Sequence, residues 1–211
     1  MNKFSVVGIG PGNMDYILPI SRKAVENADL LIGGPRQLEL FSYTEKRELL
    51  LKGNYKEILT YIKENKEKEK IAVLVSGDPG YHSLLGMISR HFSSDQYRVY
   101  PGLSSFQVAM ARIGEIWNDA DLISLHGKSL SKVLEGKGKK LVLLTDHKNT
   151  PWHIARYLLN HGYEGREALI AENLTYGNEK IRKIKLKDII EEDEYKLCVM
   201  IIMKKEENST L

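Results

Sequence analysis

The chain has 211 residues, enough for one large domain or two small ones. Its single cysteine, Cys198, excludes an internal disulfide framework and any Cys-rich zinc site. Net charge is only +3, shared as +2 over residues 1–115 and +1 over 116–211. That even spread lacks the concentrated basic patch of a dedicated nucleic-acid binder.

From the N-terminus, Phe4–Ile9 reads as a buried strand closed by Gly8, Gly10, Pro11 and Gly12. Ser21–Ala28 is helical, with Ser21 as a plausible N-cap. Leu30–Ile32 is a strand ending in Gly33-Gly34, and Pro35–Phe41 is a short helix opened by proline. Arg47–Leu51 is a strand. Tyr55–Asn65 is a helix with Ile58, Leu59 and Ile62 on one face. The alternating charges of residues 63–70 read as a solvated helix end. Ile71–Val75 is a continuous apolar strand, Ser83–His91 a helix, Tyr97–Tyr100 a strand and Ser104–Arg112 a helix. Unbroken apolar strands alternating with helices imply a parallel sheet covered on both faces.

The second half has a different pattern. Asp121–Ser124, Leu141–Leu144 and Leu169–Ala171 read as strands. Thr150 caps a helix over Pro151–His161, with Gly162 just past its end. Lys180–Leu186 alternates apolar and charged residues, and Leu197–Met203 is a long apolar strand. No helix of crossover length separates the last two, so a mixed sheet fits. The expected fold is α/β in two domains, 1–115 and 116–211, with the junction near Gly114–Asn118. No apolar run approaches the roughly 20 residues of a membrane span. The first residues carry no signal-peptide organisation. The expectation is a cytoplasmic protein with no membrane or nucleic-acid partner.

Three glycine-bearing motifs follow strands. Gly8-Ile9-Gly10-Pro11-Gly12 suggests a dinucleotide fingerprint but fits it badly. Asn13 stands where the third glycine belongs, and Pro11 removes a backbone donor. A plain tight turn is the competing reading. Ser76-Gly77-Asp78-Pro79-Gly80 sits where α/β proteins place ligands, at the carboxyl end of a strand. Asp78 there is either a hydrogen-bond acceptor for a ribose or an amine, or part of a capped turn. Pro101-Gly102-Leu103-Ser104-Ser105 is either a helix cap or a loop that closes over a ligand. The six histidines show no metal spacing, so no metal is expected. His126 ends a strand in Ser124-Leu125-His126-Gly127-Lys128. No nucleophile-elbow sequence accompanies it.

Taken in order, GIGPG, GDP, PGLSS and the Glu172-Asn173-Leu174 segment resemble the tetrapyrrole methylase family, from about Lys3 to Met203. Further segments look like its precorrin-6Y methylase group, the carbon-5 methyltransferases of cobalamin synthesis. These are Gly33-Gly34-Pro35-Arg36-Gln37-Leu38, Trp117-Asn118-Asp119, Ser124–Gly127, Thr145-Asp146 and Gly177–Ile181. Two positions depart from the family pattern: Asn13 replaces the usual Asp, and Lys128 replaces an Arg, losing its bidentate fork.

The resemblance implies a two-domain enzyme, usually a homodimer, with S-adenosylmethionine (SAM) bound between the domains. Carried over, the SAM contacts are Pro11, Ser76, Gly77, Asp78, Tyr81, Ser104, Ser105, Thr145 and Leu174. His126 is the candidate acid/base, because a histidine titrates near neutral pH. Arg36 and Lys128 are candidates to pair with the carboxylates of a tetrapyrrole substrate. No carbon-15 methyltransferase and decarboxylase module accompanies these motifs, which implies a separate partner for that step and favours the cobalt-early route. The alternatives are another methylase of the same family and a non-enzymatic SAM- or nucleotide-binding module.

Overall fold

The apolar runs of the first half assemble into one sheet. In the computed structural model, which describes residues 3–136, 140–191 and 195–203, its strands are β1 (Phe4–Gly8), β2 (Leu30–Gly33), β3 (Arg47–Leu50), β4 (Ile71–Val75) and β5 (Tyr97–Tyr100). Every pairing is parallel, in the order β3-β2-β4-β1-β5. All residues of β2 and β4 are buried, as expected of strands covered on both faces.

Side chains alternate between two cores. Phe4, Val6, Ile32, Val73 and Val75 meet Ile58 and Ile62 of helix α3 (Tyr55–Asn65) and Ile88 of α4 (Leu85–His91). Val7, Leu31 and Leu74 meet Ala24 and Val25 of α1 (Pro19–Glu26) and Leu38 of α2 (Pro35–Glu39). Full burial of each large aliphatic side chain contributes about 1.5–3 kcal/mol, so these two layers hold the sheet.

Two local expectations are corrected. Helix α1 starts two residues before Ser21, with Pro19 in its first turn and Leu18, which makes no side-chain bond, as its cap. Ser21 is instead buried inside the helix, where its hydroxyl donates to the Pro101 carbonyl at 2.7 Å. Within the charged 63–70 segment, Lys66 is buried and pairs with Glu67 at 2.9 Å, so that stretch is not wholly solvated.

The chain divides into two units, Met1–Ser105 and Phe106–Leu211. The division falls at the start of helix α5 (Ser105–Ile113), upstream of the junction read from the sequence. The second unit holds a mixed sheet of β6 (Ala120–Ser124), β7 (Lys140–Leu144), β8 (Glu167–Glu172), β9 (Lys180–Lys185) and β10 (Cys198–Ile202). Its order is β6-β7-β10-β8-β9; only β6 and β7 run parallel.

Helix α6 (Pro151–Leu159) lays Ile154, Ala155 and Leu158 on Leu141, Leu143, Ile170 and Met200. As expected, Thr150 caps it, accepting from the His153 N–H. No described helix is long and apolar enough to cross a membrane.

Candidate active site

A parallel sheet delivers all its strand-to-helix loops to one edge. Here the order places β1 between β4 and β5, so the loops that follow these three strands meet. Gly10 and Gly77 form an isolated antiparallel bridge, with N–H···O distances of 3.3 and 2.8 Å. Gly8 and Gly102 lie closer still. A Cβ on Gly8 would stand 2.7 Å from both the Gly102 nitrogen and the Gly77 oxygen. A Cβ on Gly102 would overlap the Gly77 oxygen and stand 2.8 Å from the Gly8 carbonyl carbon. No side chain fits there.

Asp78 adds the polar part of this lock. One carboxylate oxygen accepts from the Gly80 N–H at 2.7 Å, the other from the Gly102 N–H at 3.0 Å. The capped turn is therefore present, and the same side chain also ties the β4 loop to the β5 loop. From α2, the Gln37 amide donates to the Ser76 hydroxyl at 2.5 Å. Pro11 is half-buried, Ser76 exposed, Ser104 buried and Ser105 half-buried. Tyr81 follows in the β4 loop, and burial pushes its hydroxyl pKa upward. Asn13, the departure from the family pattern, accepts from the Asp15 N–H at 2.9 Å and caps the turn Met14–Tyr16. An Asp would do the same, so its local role needs no charge. Arg36 is exposed on α2.

A groove of about 440 Å³ also exists in this unit, lined by Lys3, Lys23, Lys70 and Arg98 among others. Lys3 and Lys70 precede β1 and β4, which puts the groove toward the amino ends of the strands, away from the edge where α/β proteins bind ligands.

In the second unit, the registers Ser124↔Leu144, Leu144↔Val199 and Glu172↔Cys198 bring the carboxyl ends of β6, β7 and β8 to one edge. The β6 loop carries His126 and Lys128, both exposed. The β7 loop holds it in place. Asp146 accepts from the Gly127 N–H at 2.7 Å through one oxygen, and from the Lys148 and Asn149 N–H groups at 2.9 and 2.7 Å through the other. The buried Asn149 amide donates to the carbonyls of Leu125 at 2.7 Å and Lys128 at 3.1 Å. Partial burial alone would raise the Asp146 pKa. The N–H groups of Asn149, Gly127 and Lys148, with the nearby His126, outweigh it and lower the pKa to about 2.

Thr145, half-buried, donates its hydroxyl to the Cys198 carbonyl at 2.8 Å. Leu174, buried, sits in the β8 loop between Asn173 and Thr175, both at positive φ. Burial pushes the Cys198 thiol up to about 12, so it stays protonated and unreactive. Among the described residues no cluster of three or more His, Cys, Asp or Glu could hold a metal.

The description of tetrapyrrole (corrin/porphyrin) methylases fits residues 3–190. The chain belongs to the tetrapyrrole methylase family. It is 36% identical to a probable cobalt-precorrin-7 C(5)-methyltransferase of Methanocaldococcus jannaschii, over 93% of this chain and 95% of that one. It is 34% identical to the cobalt-precorrin-7 C(5)-methyltransferase of Salmonella typhimurium, over 84% and 88%. Its fold matches the crystal structure of precorrin-6Y methylase from Archaeoglobus fulgidus with a TM-score of 0.74 at 24% identity, covering 97% of this chain and 99% of that one.

As a tetrapyrrole methylase, the protein has a two-unit α/β fold like that of its structural neighbours. Within the first unit, the structure gathers the three glycine motifs at one edge. Within the second, it joins His126 and Lys128 to the loop of Thr145. Sequence reasoning missed the residues that shape these loops: Gln37, Arg112, Asp146, Asn149 and Glu179. Gln37, Asp146 and Glu179 lie inside the family segments quoted above, whereas Arg112 and Asn149 lie outside them, and none of the five has a distinctive local pattern.

Proposed function

We propose that this methylase transfers the methyl group of SAM to carbon 5 of a cobalt-precorrin in cobalamin biosynthesis. The observation that carries this reading is the likeness, over nearly the full length of both chains, to relatives bearing that activity in their names. The residues proposed to contact SAM are Pro11, Ser76, Gly77, Asp78, Tyr81, Ser104, Ser105, Thr145 and Leu174. Asp78 is a SAM contact that also shapes the loops: each of its oxygens accepts from one main-chain N–H and keeps a lone pair for a ligand.

The fit to SAM is supported by Gly77. A Cβ there would lie 3.6 Å from Ser104 Cα and 3.8 Å from its hydroxyl, so glycine leaves a small polar niche beside a buried serine. Bound SAM would supply an activated methyl on a sulfonium whose departure leaves a neutral thioether. The protein's task is then to hold the acceptor carbon in line, about 3–3.5 Å away. That explains why no strong nucleophile stands out.

Carbon methylation requires proton movement on the macrocycle. In this reading His126, exposed on a loop fixed by Asp146 and Asn149, gives or takes that proton. Arg36 and Lys128 make no ion pair among the described residues and are available to acetate and propionate groups. The enzyme works as a cytoplasmic homodimer, and a separate enzyme carries out the carbon-15 step.

The test is transfer of labelled methyl from SAM into a cobalt-precorrin acceptor. His126→Ala should lower kcat by about 10²–10⁴, the usual worth of a general acid or base. Near-normal turnover of that variant would remove His126 from the chemistry. Arg36→Ala should raise the acceptor KM and leave SAM affinity unchanged.

A further inference from the structure

The β8 loop is strained. Asn173 and Thr175 flank buried Leu174 with φ of 47° and 72°. Asn tolerates the left-handed region, but for a β-branched residue such as Thr it is a genuine outlier. Such conformations persist only where the surroundings over-determine them, and they cluster at ligand sites.

Here the determinant is Glu179. One carboxylate oxygen accepts from the Thr175 N–H at 2.7 Å and the Arg112 Nη2 at 3.5 Å, and the other accepts from the Arg112 Nε at 2.8 Å. Arg112 reaches the loop from the last turn of α5, 67 residues away in sequence. Its hydrogen bond, opposed by partial burial, holds the Glu179 carboxyl below the ordinary carboxylate range. The contact is therefore a charge-assisted one at neutral pH. Lesser turns, from the Tyr176 N–H to Asn173 O and the Glu179 N–H to Tyr176 O, close the segment.

We propose that Glu179 and Arg112 are positioning residues for SAM: they hold the Asn173–Thr175 main chain in the strained shape that receives the ligand. This rests on the reading above that Leu174 contacts SAM. The pair touches neither ligand nor acceptor and acts through the main chain of the loop.

Calorimetry with S-adenosylhomocysteine (SAH) as probe tests it, at a temperature well below unfolding. Glu179→Gln should weaken SAH binding about tenfold, the effect of losing one charge-assisted hydrogen bond. The acceptor KM, measured at saturating SAM, should not change. Adding Thr175→Gly to that variant should restore affinity at least threefold, because glycine takes a φ near 70° without strain. A pair that served only overall stability would give no such rescue. If Glu179→Gln does not fold, Arg112→Lys replaces it; the charge stays, the fork is lost, and SAH should bind about threefold more weakly. A folded Glu179→Gln or Arg112→Lys variant that binds SAH as the wild type does overturns the proposal, as does failure of Thr175→Gly to restore affinity. Absence of SAH binding by the wild type would instead overturn the reading of the site on which the proposal rests.

Discussion

The two units build their strand-end loops in opposite ways. After β1, β4 and β5 the loops are held by the absence of side chains: Gly8, Gly77 and Gly102 let three main chains touch, and Asp78 fastens them. After β6, β7 and β8 the loops are fastened by side chains: Asp146 and Asn149 tie the β6 loop to the β7 loop, and Glu179 with Arg112 holds the β8 loop. Glycine packing is rigid because there is nothing to rearrange. Side-chain clips rest on hydrogen bonds instead, neutral for Asn149 and charge-assisted for Asp146 and Glu179.

The largest effect should come from breaking the glycine lock. Gly102→Ala has no room for its methyl group beside the Gly77 oxygen. Overpacking of this kind costs about 3 kcal/mol, or a Tm lower by about 6–12 °C in a protein of this size. Thermal unfolding measures it, and SAH binding should be lost along with it. Next comes the buried amide clip. Asn149→Ala removes the amide donor from the Lys128 carbonyl and from the Leu125 carbonyl, which keeps the Lys128 N–H at 3.0 Å. The expected loss is about 2 kcal/mol, with an acceptor KM raised more than SAH affinity is lowered.

The pH dependence of the second unit sharpens the contrast. The Asp146 pKa is lowered in the folded protein, to about 2. Its stabilisation is therefore fully present above the ordinary carboxylate value and is lost as pH falls through that value toward about 2. Asp146→Asn should have a lower Tm at neutral pH, and its Tm should fall less than the wild type's on acidification. Equal acid slopes would show that the clip carries no charge-dependent stability.

The smallest effect belongs to Gly127, whose φ is 65° but whose missing Cβ faces open space. Gly127→Ala should cost about 1 kcal/mol through backbone strain alone. Set against Gly102→Ala, it separates conformational demand from steric exclusion.

The same contrast explains what was legible in the sequence. Strand and helix identity followed from apolar period and from Pro and Gly punctuation; Tyr55–Asn65, Ile71–Val75 and Tyr97–Tyr100 carry the bounds read from the chain. Glycine motifs are local in sequence, so the first unit's loops could be named before their contacts were known. Asp146, Asn149, Arg112 and Glu179 are ordinary polar residues whose partners lie up to 67 residues away, and no local pattern marks such pairs. Ser21 was misread for a related reason. A serine near a helix start suggests a cap, but here its hydroxyl serves the distant Pro101 carbonyl while Pro19 opens the helix.

The central claim is methyl transfer to one carbon of a corrin precursor. It is tested most directly by incubating the protein with a cobalt-precorrin acceptor and SAM labelled with ¹³C in the methyl group, then locating the label by NMR. The expected result is one labelled methyl, on carbon 5, with SAH formed in equal amount. Label on another ring carbon, or SAM binding without transfer to the acceptor, would contradict it.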